Sequence, residues 1–139
     1  MIKRQKLAVM CNELATVRAI TDAVGRSFEL TLTGDAQTLR NVLHQEEPPA
    51  AVMIDIAAVQ VDAIKLLDLA RSECSTARRI LLTDFCDLRI IVQGLHTGTI
   101  ERIVYKPIHA PELLGAIGAQ GVVIPSVPTN SQQQTRVAG

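Results

Sequence analysis

The chain has 139 residues, with Lys plus Arg and Asp plus Glu balanced at 14 each, 47% hydrophobic residues and only 2% aromatic ones. That length suits one domain, and that apolar fraction supports an aliphatic core and argues against disorder. Balanced charge gives no footprint for direct nucleic-acid binding, and the scarcity of aromatics removes base-stacking platforms.

No apolar run is long enough to span a bilayer and no signal peptide opens the chain, so no membrane partner is expected. Cys11, Cys74 and Cys86 lack metal-ligand or CxxC spacing, and scattered thiols fit a reducing cytoplasm. His44, His96 and His109 fall on separate segments and form no recognisable metal set.

In chain order, an apolar run at about 6 to 11 reads as a first strand. The segment NELATVRAITDAVG follows with helical spacing at Leu14, Val17, Ala19, Ile20 and Val24. Asn12 is placed to cap that helix, Glu13 suits its first turn, and Gly25 ends it. FELTLT alternates as a second strand, and Asp35 caps a helix through roughly Glu46. After Pro48 and Pro49, AAVMID is a third strand ending on Asp55, followed by a helix at about 61 to 73. ARRILLT is a fourth strand, a helix runs from about Asp87 to Thr97, and ERIVY is a fifth strand stopped by Pro107. Pro111 suits the first turn of a last helix through about Ala119. Beyond about Gly121 the chain is polar and aperiodic. The expected organisation is therefore one domain over 1–121 and a flexible tail or linker over 122–139.

Five strand–helix pairs with continuous apolar strands imply an α/β fold, a five-stranded parallel sheet covered on both faces. In such doubly wound sheets, ligands bind beyond the carboxyl ends of the strands. Those ends carry Cys11, Asn12 and Glu13 after strand one, Asp55 after strand three, Thr83 and Asp84 after strand four, and Lys106 and Pro107 after strand five. Singly, each has an ordinary structural reading as a cap, a strand former or a loop charge. Together, at the ends of different strands, they suggest phosphoryl capture. Asp55 would be the nucleophile, Thr83 would donate to a phosphoryl oxygen, and Lys106 would pair with the charge.

These residues carry a resemblance. Asp55 after AVMI, Thr83 after RILL and Lys106-Pro107 after IVY resemble the phosphoacceptor, switch hydroxyl and lysine–proline of bacterial two-component response-regulator receiver domains, over roughly residues 5 to 120. The stretch TDFCDLRIIVQGLHTGTIERIVYKP is similar to receivers with a TGYAD…G-x-I-x-R pattern, which often precede HD-GYP phosphodiesterase domains or certain transcriptional activators. The resemblance implies a doubly wound, flavodoxin-like (CheY-like) (βα)5 fold with strand order 2-1-3-4-5. It also implies a cytoplasmic, non-enzymatic signalling role. The implied partners are a histidine kinase or phosphotransfer protein as donor, a downstream effector domain or protein met through the fourth helix and fifth strand, and a second copy in a homodimer.

Several positions depart from that family. Its receivers end strand one with an acidic pair that holds Mg2+ together with the phosphoacceptor and the backbone carbonyl two residues later, here that of Ala57. The pair aligns with Cys11 and Asn12, a poor ligand and a neutral one for a hard cation, and Glu13 is the only acid nearby. A weakened Mg2+ site built from Asp55, Ala57 and Asn12 is the expectation. Asp84 replaces a usually small residue and is read as a helix cap. The switch aromatic position holds Ile103, whereas Tyr105 directly precedes Lys106. The loop after Asp55 reads AAVQVDA in place of the family's proline-glycine turn.

Two functions follow: a phosphorylatable receiver with a degraded metal site, or a phosphorylation-independent pseudo-receiver used for docking or dimerisation. A flavodoxin-like cofactor binder is disfavoured, because no glycine-rich or hydroxyl-rich phosphate loop follows strand one.

Overall fold

The computed structural model describes residues 4–57, 63–84 and 88–118. Five parallel strands, β1 (Gln5–Met10), β2 (Phe28–Leu32), β3 (Ala51–Asp55), β4 (Arg78–Thr83) and β5 (Arg102–Tyr105), form one sheet in the order β2-β1-β3-β4-β5. They alternate with α1 (Leu14–Val24), α2 (Ala36–Leu43), α3 (Ala63–Glu73), α4 (Leu88–Thr97) and α5 (Ala110–Ile117). The expected fold class and strand order are both observed.

Successive strand residues face opposite sides of a sheet, and the two sides bury separate cores. Ala8, Met10, Val52, Ile54 and Leu81 pack with α2, α3 and α4 through Leu39, Leu67 and Ile91. Leu7, Val9, Met53, Ile80, Leu82 and Val104 pack with α1 and α5 through Ile20, Val24 and Leu113. Because β1, β3 and β4 are covered on both faces, they read in the sequence as unbroken apolar runs.

Local chemistry sets most element ends as expected. The Asp35 carboxylate accepts from the N–H of Thr38 at 2.8 Å and caps α2. Pro111 lies in the first turn of α5, and Gly118 closes that helix at φ 74°, in the left-handed region. The start of α1 differs from expectation. Glu13, not Asn12, is the N-cap residue, with extended backbone and no side-chain cap. Its carboxylate accepts from the Thr16 hydroxyl and faces Lys106, and the helix begins one residue later than expected. Leu14, expected on the buried face, stands 65% exposed on the first turn.

The loop AAVQVDA falls largely within residues 58–62, Cys86 and the expected start of the fourth helix at Asp87 within 85–87, and the tail within 119–139. All three stretches lie outside the described residues.

Candidate functional site

The sheet register builds the site at the carboxyl ends of the central strands. Met10 pairs with Ile54, so the chain beyond β1 brings Cys11 beside Asp55. Asp55 pairs with Leu82, which puts Thr83 one step further along the neighbouring strand. Thr83 pairs in turn with Tyr105, and Lys106 follows directly. The N–H of Lys106 donates to the carbonyl of Thr83 at 2.8 Å, holding the end of β5 to β4. The Lys106–Pro107 bond is cis.

Asp55 is 1% exposed, and such a carboxylate must be paired or hydrogen-bonded. Lys106 Nζ lies 3.1 Å from Oδ2 and 3.3 Å from Oδ1. The N–H of Ala57 donates to Oδ1 at 3.0 Å, and the Cys11 thiol donates to Oδ2 at 3.3 Å. Lys106 also faces Glu13, with Nζ 3.6 Å from Oε1. Its stem borders a cleft of about 390 Å³ shared with Glu13, Thr16, Asp84, Pro107 and Ile108.

Electrostatics follow from this packing. Burial is the largest influence on Lys106 and disfavours its charge. Hydrogen bonding to Asp55 and the charges of Asp55, Glu13 and Asp84 together outweigh burial, and the ammonium is held above its ordinary range. Burial pushes the Cys11 thiol up to about 11. Asp55 adds to that rise through its hydrogen bond and its charge, while a backbone hydrogen bond at Glu13 and the charge of Lys106 pull the other way. The sequence shows no base near Cys11, but the fold supplies Lys106, and burial beside a carboxylate still prevails. At neutral pH the thiol is a proton donor, not an anion.

The remaining candidates divide. Thr83 is fully buried, and its hydroxyl finds no hydrogen-bond partner among the described residues. Asn12 and Asp84 are exposed at the rim. Ile103, expected at the switch position, packs partly against the core on the α4 side. Tyr105, half-buried and beside Thr83 in register, is the aromatic nearest that hydroxyl in the pairing.

Tested as a Mg2+ site, these residues do not fit. The position beside the carboxylate holds a protonated thiol, a poor partner for a hard cation, and it points its proton at the oxygen a cation would need. Ala57 meets the carboxylate through its N–H. Among the described residues, no group of three or more His, Cys, Asp or Glu could hold a metal ion.

A signal receiver domain of an HD domain-containing protein from Pseudomonas fluorescens Pf-5 superposes with a TM-score of 0.70 at 24% identity, covering 83% of this chain and 92% of that one. A CheY-like receiver domain protein from Methanospirillum hungatei JF-1 gives 0.69 at 18% identity over 83% and 91%. The fold is that of a response-regulator receiver domain. A structure named as an adenylate cyclase from Rhodopirellula baltica also superposes, with a TM-score of 0.72 at 16% identity over 84% of this chain and 87% of that one. No family model and no curated protein matches the sequence. No helix among the described residues is long and apolar enough to cross a membrane.

Proposed function

We propose that this chain is an atypical receiver module of two-component signalling that works as a docking element, with phosphorylation of Asp55 weakened or lost as its input. One observation carries the reading. The Asp55 carboxylate already accepts from the Ala57 N–H, the Lys106 ammonium and the Cys11 thiol, the last standing where receivers place an acid. Phosphoryl transfer needs cationic charge to neutralise the incoming group. Among the described residues the cation that meets Asp55 is Lys106, and it is already paired with Asp55 and Glu13.

The module acts by presenting surfaces to a partner, not by turning over a substrate. Its partners are the effector domain or protein of a response-regulator system, a histidine kinase or phosphotransfer protein by descent, and a second copy of the chain. Its place is the cytoplasm, with residues 1–121 as the module and 122–139 as linker.

A second reading, a receiver still phosphorylated at Asp55, is favoured by the buried, unpartnered hydroxyl of Thr83, since such groups call for a ligand. Intact mass after incubation with acetyl phosphate and Mg2+ separates the two. No added phosphoryl group is expected in a run that labels an ordinary receiver. A gain that disappears in Asp55→Asn would establish the second reading instead.

A further inference from the structure

We infer that Cys11 determines the cation preference of the Asp55 site, its thiol excluding hard divalent cations from the carboxylate. The inference rests on Asp55 being the centre of the module's site, as proposed above, and names the residue responsible for its altered chemistry.

A carboxylate offers about four acceptor positions, two on each oxygen. All four are taken here. Oδ1 accepts from Ala57 N–H at 3.0 Å and from Lys106 at 3.3 Å, and Oδ2 accepts from Lys106 at 3.1 Å and from Cys11 at 3.3 Å. A cation approaching Asp55 must therefore displace a donor. The Ala57 N–H belongs to the backbone of the turn after β3. Lys106 is anchored at the end of β5 by its N–H bond to Thr83. Cys11 is the one of these three donors whose side chain could be exchanged for a ligand without dismantling the turn or the ammonium.

Charge points the same way. Asp55 and Lys106 neutralise each other, and a protonated thiol adds nothing. A dication would bring excess positive charge into a pocket whose floor is closed, Asp55 being 1% and Thr83 0% exposed. A carboxylate at position 11 would change both terms at once, removing the competing proton and adding the negative charge that a hard cation seeks.

The register explains why this residue holds that place. The first and third strands share the letters AVM, and aligning them matches Asn12 to Asp55. The observed pairing of Met10 with Ile54 is offset by one, so Cys11 comes beside the carboxylate.

The test is a MgCl2 titration of the full chain followed by amide NMR at Ala57, Thr83 and Lys106, for wild type, Cys11→Asp and Cys11→Ser. Wild type should give no saturable shift, and Cys11→Asp should bind at least about tenfold more tightly. Cys11→Ser keeps a donor at Oδ2 but can turn a hard oxygen lone pair to a cation with little change in volume, and it should show a smaller but saturable response. It keeps the question answerable if Cys11→Asp loses its folded spectrum. Saturable shifts in wild type would overturn the inference, as would folded variants as silent as wild type. The phosphodonor experiment is independent of this one. A wild type that is labelled yet ignores Mg2+ would sink the proposed function and leave the role of Cys11 standing.

Discussion

Cys11 Sγ and Asp55 Oδ2 lie 3.3 Å apart at the carboxyl ends of adjacent strands, with the thiol as donor and the carboxylate as acceptor. Burial, with this contact adding to it, pushes the thiol up to about 11 from an ordinary 9.0. Only the thiolate is nucleophilic. Alkylation of Cys11 by iodoacetamide at pH 8 should therefore run roughly a hundredfold slower in the folded chain than in urea, following the ratio of thiolate fractions. Equal rates would show that the thiol is not held as described. Peptide mapping assigns the rate to Cys11 and separates it from the other cysteines.

The same shift has a thermodynamic consequence. A thiol whose folded pKa is raised binds its proton more tightly in the folded state, so its contribution to stability is complete below the unfolded value near 9. It is lost as pH rises toward the folded value near 11. Lys106, also raised, adds a loss that sets in above its ordinary value of 10.5. Urea midpoints should fall between pH 9 and 11, and Cys11→Ala should remove the earlier part of that fall.

Lys106 and Asp55 form a pair that is closed to solvent on the carboxylate side. Removing one member of a buried pair leaves the other uncompensated. Lys106→Met should cost about 3–5 kcal/mol. Lys106→Met with Asp55→Asn should recover much of that loss, because no bare charge remains. A double variant no more stable than Lys106→Met alone would contradict the pairing, and denaturant unfolding measures both.

Much of this architecture was legible in the sequence because it rests on local chemistry. Asp35 bonds to an amide three residues on, Pro111 needs only its fixed φ, and β3 is apolar because both of its faces are covered. Asp55, Thr83 and Lys106 could be placed at one edge by counting strand ends. What was not legible depends on register and on side-chain reach. The one-residue offset between the AVM segments decides that Cys11 and not Asn12 meets Asp55. Glu13 at the start of α1 meets Lys106, 93 positions away, a separation no helix-start rule contains.

Arg79 shows a second buried charge with a structural purpose. It is 7% exposed, and its guanidinium donates to the carbonyls of Thr99 and Gly98 at 3.1 Å each, tying β4 to the turn before β5. Arg79→Met should cost about 1–3 kcal/mol for each carbonyl left unsatisfied. The loss should appear as faster amide exchange around residues 98–101, and unchanged exchange there would refute the role.

Gly94 sets how closely α4 approaches the segment leading into β5. A Cβ built there would meet Ile100 side-chain carbons at 2.3 and 2.7 Å, and Ile100 is itself buried. Gly94→Ala should destabilise the chain by about 1–3 kcal/mol through overpacking, despite the higher helix propensity of alanine. A stabilised variant in thermal unfolding would contradict that packing.

On the proposed function, Cys11 and Asn12 stand where receivers place an acidic pair and separate Asp55 from phosphoryl chemistry. Intact mass after acetyl phosphate and Mg2+, compared between wild type and the double variant Cys11→Asp/Asn12→Asp, tests it most directly. The predicted result is no phosphoryl gain in wild type and one group gained in the double variant, lost again when Asp55→Asn is added. Wild type labelled as fully as the double variant would contradict the claim and make Asp55 a working phosphoacceptor.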